Sequence, residues 1–125
     1  MKNYKQFDVI WVPYPFSDFS DKSKPRPALI VSNENSNSLD GDFLACQITS
    51  TLREDEFTIS LSDTMIYQPS ISLKGEIRCN KIATIRKSLI FKKIGELLPE
   101  YHDEVLEKIQ KSFDDDRIKY FKNQQ

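Results

Sequence analysis

The sequence predicts a mainly β protein, built as a strongly bent barrel of short strands with one helix at its C-terminal end. Short apolar or alternating segments, separated by turn-forming residues, fill the first three quarters of the chain. Beyond them the apolar residues recur at steps of three or four, which is typical of an amphipathic helix. A chain of 125 residues is long enough for one domain with its own core. We therefore expect a single domain over 1–125, with the barrel over about 7–95 and the helix over about 99–113.

Six short strands are predicted in about 90 residues, a density that favours a compact, bent barrel. The segment Ala28–Val31 is apolar throughout and predicts a central strand that is buried on both faces. Clusters of Ser, Asp and Asn predict turns at Ser17–Lys24, Asn33–Gly41 and Ser62–Ser70. The predicted strands are Val9–Val12, Ala28–Val31, Asp42–Thr49, Glu56–Leu61, Ser72–Cys79 and Ile90–Ile94.

The predicted helix has one apolar stripe and an acidic outer face. Pro99 suits its first turn. Residues 94–116 carry a net charge of −6, whereas residues 1–93 carry +2. A body so close to neutral argues against a general nucleic-acid coating protein but allows a local basic cleft. The stripe consists of Leu98, Tyr101, Val105, Ile109 and Phe113.

Several classes of protein are excluded by what the chain lacks. Its apolar runs are too short for a membrane span and its N-terminus has no signal-peptide pattern, so we expect a cytoplasmic protein. Cys46 and Cys79 are too few for a disulfide scaffold. His102 is the one histidine, is followed by two acids and is expected at the surface. No His or Cys has zinc-ligand spacing, so neither a metal nor a cofactor is expected.

The segment from Lys22 to Pro27 is the most distinctive local feature. Three cations, Lys22, Lys24 and Arg26, lie within five residues, and prolines stiffen the backbone on both sides of Arg26. A guanidinium held in this way can bind a phosphate with its planar fork. An ordinary solvated loop that leads into a strand has the same composition.

A second candidate is the hydroxyl cluster Thr49, Ser50 and Thr51, with Arg53 close behind. Hydroxyls at the end of a strand can donate to phosphate or ribose oxygens. They are also common turn residues, so the cluster alone decides nothing.

A third candidate is the segment Glu76–Lys81. Strand alternation puts Glu76, Arg78 and Asn80 on one face, with Arg78 and Asn80 pointing to a polar surface. Cys79 then lies on the core face and acts as a small buried hydrophobe.

These segments, in this order, resemble the PemK/Kid/MazF toxins of type II toxin–antitoxin modules, and most closely the PemK-like branch. The resemblance spans nearly the whole chain. It is carried by the opening strand Asp8–Pro13, the Arg-Pro strand Arg26–Ser32, the hydroxyl motif Ile48–Ser50, the Arg-Cys strand Ile77–Cys79 with Ile82–Ile85, and the ending Lys93–Leu97 before a helix.

The resemblance implies an SH3-like barrel, a homodimer and a metal-independent endoribonuclease that acts on single-stranded RNA. In this family the 2′-hydroxyl attacks its own phosphate, which leaves a 2′,3′-cyclic phosphate and a 5′-hydroxyl end. The implied partner is a cognate antitoxin with an acidic, disordered tail. The implied catalytic residues are Arg26, Thr49 and Arg78, the last as the proposed general acid. For such an enzyme we expect RNA-binding residues at Lys22, Lys24, Ser50, Arg53, Asn80 and Lys81.

The chain departs from the family pattern at four places. Phe7 replaces a usual glycine, and Asn80 replaces the aspartate proposed as general base in the PemK/Kid branch. Arg86 stands where relatives often have aspartate, and the loop Phe16–Lys24 has no histidine. Because an amide takes up no proton at neutral pH, this chain cannot use the mechanism in which that aspartate is the general base. Arg26 with Thr49 must then suffice, or the nuclease is weak or inactive.

Two other functions remain open from the sequence. The same fold is used by CcdB-like toxins, which bind DNA gyrase, and Tyr120 with Phe121 could serve protein binding. An RNA-binding module without nuclease activity is the other alternative, and Asn80 favours it.

Overall fold

The computed structural model describes residues 3–13 and 24–125, which form one antiparallel sheet and three helices. Short 3-10 turns lie at Asp63–Met65, Lys87–Leu89 and Pro99–Tyr101. The strands are β1 (Asp8–Val12), β2 (Arg26–Ile30), β3 (Asp42–Thr49), β4 (Thr58–Leu61), β5 (Ile66–Tyr67), β6 (Gly75–Arg86) and β7 (Lys92–Leu97). The helices are α1 (Glu34–Asp40), α2 (His102–Ser112) and α3 (Arg117–Asn123).

The sheet has the strand order β4-β6-β3-β2-β1-β7-β5 and curls into a half-barrel. Alternating apolar side chains build one core cluster on each face of the sheet. Val105 of α2 closes the larger cluster together with residues such as Leu29 and Ile77. The predicted mainly β fold, a bent barrel with a C-terminal helix, is confirmed.

β2 occupies the centre of this sheet, between β1 and β3. Ala28, Leu29 and Ile30 are each 0% exposed, so both faces of the strand are covered as its apolar sequence predicted. This buried strand holds Arg26 at its first position, where the side chain becomes half-buried at the edge of the core.

The segment predicted as a turn at 33–41 contains α1, and that prediction was wrong. The side chain of Asn33 caps the helix by accepting the N–H of Ser36, and Gly41 ends it with a φ of 77°. The predicted turn 62–70 contains β5, and the strand predicted over 72–79 begins later and continues to Arg86. Of the predicted turn 17–24, residues 17–23 lie outside the described residues.

The C-terminal helix packs as its stripe predicted, except at its end. Val105 is fully buried, and Tyr101 and Ile109 pack against the core. Phe113 is 69% exposed because α2 ends at Ser112. Among the helices of the described residues, none is long and apolar enough to cross a lipid bilayer.

Phe7 and His102 tie the start of the sheet to the start of α2. The rings stack with centroids 3.6 Å apart, and Nε2 of His102 is 2.8 Å from the carbonyl oxygen of Leu97. His102 was expected at the surface, and its ring is half-buried in this stack. Phe7 has a φ of 72°, in the left-handed region that favours glycine.

We predict that Phe7→Gly lowers the free energy of unfolding, but by less than Phe7→Ala. Loss of a buried Phe side chain costs about 3–5 kcal/mol, whereas the left-handed backbone of a residue with a Cβ costs about 1–2 kcal/mol. The glycine variant has no Cβ and is free of that backbone strain, so it should be about 1 kcal/mol more stable than the alanine variant. Urea unfolding of the three proteins measures this order. An alanine variant as stable as the glycine variant would show that the backbone at residue 7 is unstrained.

Candidate functional site

A row of polar side chains crosses one face of the sheet where β2, β3 and β6 lie side by side. In the register, Gln47 pairs with both Ala28 and Arg78, and Thr49 pairs with Glu76. Since cross-strand partners point to the same face, these side chains share it, and alternation along β2 adds Arg26. The row consists of Arg26, Gln47, Thr49, Glu76 and Arg78.

A pocket of about 320 Å³ opens at one end of this row. Arg26 and Thr49, 23 positions apart in the sequence, both line it because their strands are neighbours. Further hydroxyls come from Ser50, Thr51 and Ser72. The remaining lining residues are Trp11, Pro27, Ile48, Ile71, Leu73 and Lys74.

The lining residues suit a phosphate group of a nucleic acid. Arg26 is half-buried and supplies a guanidinium with a fixed set of N–H donors. The hydroxyl oxygen of Thr49 accepts the N–H of Thr51 at 3.1 Å, which leaves its proton to donate into the pocket. A cation with several hydroxyl donors around a small cavity can surround the oxygens of a phosphodiester.

The floor of the pocket depends on a close approach of two backbones. Gly75 has a φ of 126°, and a Cβ added to it would lie 2.0 Å from the carbonyl oxygen of Thr49. Only glycine therefore lets the start of β6 run against the end of β3. This contact fixes the position of the Thr49 and Ser50 backbone at the pocket.

Two carboxylates hold the loops that form the walls. Asp63 accepts the hydroxyl of Ser72 at 2.9 Å and the N–H of Leu73 at 2.5 Å. These bonds, that of Leu73 above all, lower the pKa of Asp63. Glu76, only 2% exposed, accepts backbone N–H groups of the loop that follows β3.

Arg78 lies beneath the pocket rather than in its lining. The prediction that it points to a polar surface was wrong, because β3 and β4 flank it and leave it 2% exposed. One of its terminal guanidinium nitrogens donates to the carbonyl oxygen of Thr51 at 3.1 Å. It therefore acts on the pocket through the backbone of Thr51.

Asn80 and Lys81 are exposed and do not line the pocket. Gln47 pairs with Arg78 but Cys46 pairs with Ile82, so residues 79–81 form a bulge in β6 that interrupts the predicted alternation. Cys79 is buried as predicted, and burial raises the pKa of its thiol to about 12.

The other predicted RNA-binding residues are placed as follows. Ser50 lines the pocket, whereas Lys24 and Arg53 are exposed outside it. Lys22 lies outside the described residues. Among residues 3–13 and 24–125, no three His, Cys, Asp or Glu side chains converge as a metal site.

Three polar or aromatic residues of the pocket were not predicted from the sequence. Ser72 comes from a segment that carries no recognisable motif. Trp11 lies in the opening strand Asp8–Pro13, but nothing in that motif marks it as a pocket residue, and the fold brings both residues to Arg26. Lys74 had a readable signal, since it is the one cation between Arg53 and Arg78 and precedes a glycine. Trp11 is half-buried and offers a ring on which a base can stack.

Residues 5–113 match the family model described as PemK-like, MazF-like toxin of type II toxin–antitoxin system. The chain belongs to this toxin family. Its structure is similar to a mycobacterial endoribonuclease solved with its cognate antitoxin, with a TM-score of 0.68 and 21% identity over 89% of this chain and 95% of that one. It is also similar to MazF of Deinococcus radiodurans, with a TM-score of 0.67 and 19% identity over 86% and 94%.

A third similar structure is the Mycobacterium tuberculosis toxin MazF-mt6, with a TM-score of 0.68 and 20% identity over 87% of this chain and 98% of that one. No curated protein sequence matches the chain significantly. These likenesses show the fold, while the family model shows the class of toxin. The family match ends at Phe113, so Asp114–Asp116 and α3 lie beyond it.

We predict that Gly75→Ala destabilises this toxin by about 3 kcal/mol, because it adds both backbone strain and a clash with Thr49. Gly41→Ala is the matched control. Gly41 also has a positive φ, 77°, but an added Cβ meets nothing within 4 Å, so only about 1 kcal/mol of strain is expected. Urea unfolding compares the two variants. Equal losses would mean that the approach of Gly75 to Thr49 is not tight.

We also predict an acid-dependent contribution from Asp63. Its pKa is lowered in the folded state, so its stabilising effect is complete above the unfolded pKa of about 3.9 and is lost as the pH falls through the folded value. Asp63→Asn should therefore be less stable than the wild type at about pH 7, with a gap that closes below about pH 4. Thermal unfolding across this range tests it, with Glu107→Gln as a surface control. A gap that stays constant with pH contradicts the prediction.

Proposed function

We propose that the protein is a sequence-specific endoribonuclease toxin that cleaves single-stranded RNA without a metal ion. The observation that carries the proposal is the shared pocket of Arg26 and Thr49, two residues from separate strands that the family resemblance marks as catalytic. Hydroxyl and guanidinium donors surround a space of about 320 Å³, which is open to solvent along one side. A mononucleotide step of an unpaired strand can enter such a pocket, whereas a duplex would have to unstack first.

The proposed reaction is an internal transesterification. The 2′-oxygen forms a bond to phosphorus while the bond from phosphorus to the 5′-oxygen breaks, which gives a 2′,3′-cyclic phosphate and a 5′-hydroxyl. One proton leaves the 2′-hydroxyl and one reaches the departing oxygen, so no water is consumed. The guanidinium of Arg26 stabilises the negative charge that builds up on the phosphate oxygens. Thr49 donates its hydroxyl to the same oxygens.

Arg78 assists this reaction indirectly in our proposal. Its hydrogen bond to the carbonyl oxygen of Thr51 fixes the backbone on which Ser50 and Thr51 are carried, and its charge lies under the pocket. The aspartate-based chemistry of the PemK/Kid branch has no counterpart, since Asn80 is an amide and is exposed in the bulge of β6.

The proposed partners follow from the same pocket. Trp11 stacks on a base next to the scissile phosphate, and Lys74, Lys24 and Arg53 attract the flanking phosphates. Lys22 and Lys81 remain proposed RNA contacts. We also propose a homodimer, a cytoplasmic location and a cognate antitoxin, whose acidic tail would compete with RNA for the cations; one similar mycobacterial structure contains an antitoxin.

We predict that Arg26→Ala lowers the rate of RNA cleavage by at least about 100-fold, as expected when a preorganised charge donor to the transition state is removed. The assay uses one long defined RNA, purified protein, EDTA and end-group analysis of the products. Arg86→Ala is the matched control, because it removes an equal charge from an exposed position at the far end of β6.

Discrete cuts with cyclic phosphate and 5′-hydroxyl ends, lost in Arg26→Ala and kept in Arg86→Ala, would support the proposal. RNA that is bound but stays intact would instead indicate an RNA-binding module. Growth inhibition that survives Arg26→Ala would point to a protein target such as DNA gyrase.

A further inference from the structure

The loop from Ser50 to Phe57 connects β3 to β4 and passes over one end of β6. This path is forced by the strand order, because β6 lies between β3 and β4 in the sheet. The loop starts in the pocket, where Ser50 and Thr51 are lining residues. Whatever holds the loop therefore also holds one wall of the pocket.

Glu76 binds this loop with both oxygens of its carboxylate. Oε1 accepts the N–H of Arg53 at 2.8 Å, and Oε2 accepts the N–H of Glu54 at 2.8 Å. The side chain is 2% exposed, so these charge-assisted bonds are shielded from water. Two successive amides on one buried carboxylate fix both the position and the direction of the loop backbone.

The backbone of the loop is strained at this point. Glu54 has a φ of 50°, in the left-handed region that costs a residue with a Cβ free energy unless its surroundings hold it there. The same residue donates one of the two N–H groups to Glu76. The carboxylate is thus bonded to the residue at which the chain turns.

Arg78 and α2 hold the loop on either side of this turn. Arg78 donates to the carbonyl oxygen of Thr51, and Nζ of Lys108 donates to that of Glu56 at 2.9 Å. Lys111 forms an ion pair with the side chain of Glu56 at 2.9 Å. Glu76 binds the middle of the loop, and it does so from the row that includes Thr49, its partner in the β3–β6 register.

We propose that Glu76 is a positioning residue that fixes the β3–β4 loop at the rim of the pocket and thereby selects the nucleotide cleaved. The claim about cleavage rests on the function proposed above. Glu76 is not a catalytic residue, since both oxygens are bonded to backbone N–H groups and the buried side chain does not line the pocket. The loop, placed by Glu76, presents Ser50 and Thr51 beside the scissile phosphate at Thr49.

The test compares the wild type with Glu76→Gln. The glutamine has the same shape, but its NH₂ group faces one of the two N–H donors, so one hydrogen bond is lost and the charge disappears. Amide exchange resolved by NMR should show slow exchange at Arg53 and Glu54 in the wild type and fast exchange at both in the variant. Cleavage of a defined RNA should lose selectivity, with the ratio of rates at the preferred and next-best sites falling about 10- to 100-fold.

Two control variants separate positioning from simple loss of stability. Glu54→Gln removes an equal charge from an exposed side chain of the same loop and leaves both bonds to Glu76 in place. Ile94→Val loosens the core in β7, which is separated from β6 by three strands. Partial unfolding lowers all cleavage rates together, so both controls should keep the wild-type ratio between sites.

The proposal is overturned if Arg53 and Glu54 exchange quickly in the wild type, which needs no variant. It is also overturned if Glu76→Gln keeps the amides protected, or loses protection while the site ratio stays unchanged. If the wild type cleaves no RNA at all, the proposed nuclease function has failed. The exchange rates then decide by themselves whether Glu76 fixes the loop.

Discussion

β6 pairs with β3 along one side and with β4 along the other, and the pocket exists because of this double pairing. The pairing with β3 brings Glu76 opposite Thr49, and β3 in turn lies beside β2, which carries Arg26. Gly75 allows the two backbones to approach closely enough for the register to reach Thr49. Because β4 pairs with the other side of β6, the β3–β4 loop crosses the end of β6, where it contacts the buried side chains of Glu76 and Arg78.

Buried polar groups on this face cost free energy unless they are hydrogen-bonded. The charged side chains around the pocket share one kind of partner, the backbone of a loop. Glu76, Arg78 and Asp63 all act on the backbone of loops that line the pocket. Each loop is thereby held by a charged group from a neighbouring element. The pocket keeps its hydroxyls exposed to a ligand while the backbone behind them is immobilised.

Much of the fold could be predicted because its strands are short, apolar and separated by clear turn residues. Arg26 and Thr49 were found by local chemistry and resemblance, but their meeting depends on the order of β2 and β3 in the sheet. Strand alternation predicts which face of the sheet Arg78 occupies, but it does not predict what covers that face. The burial of Arg78 was therefore not predicted. The role of Glu76 left no local signal, since an isolated glutamate in a strand is usually solvated. α1 did have signals, an Asn cap and a terminal Gly, which the polar composition of the segment obscured.

Cys46 on β3 and Cys79 on β6 are both 0% exposed, and burial raises the pKa of both thiols. Thiolate is the reactive form, so oxidants and alkylating reagents find neither an accessible sulfur nor an ionised one. Reaction at either cysteine requires the core that α2 closes over these two strands to open. The redox inertness of the folded toxin is thus a property of the core behind its pocket, and a modified cysteine would mark a molecule in which that core had opened.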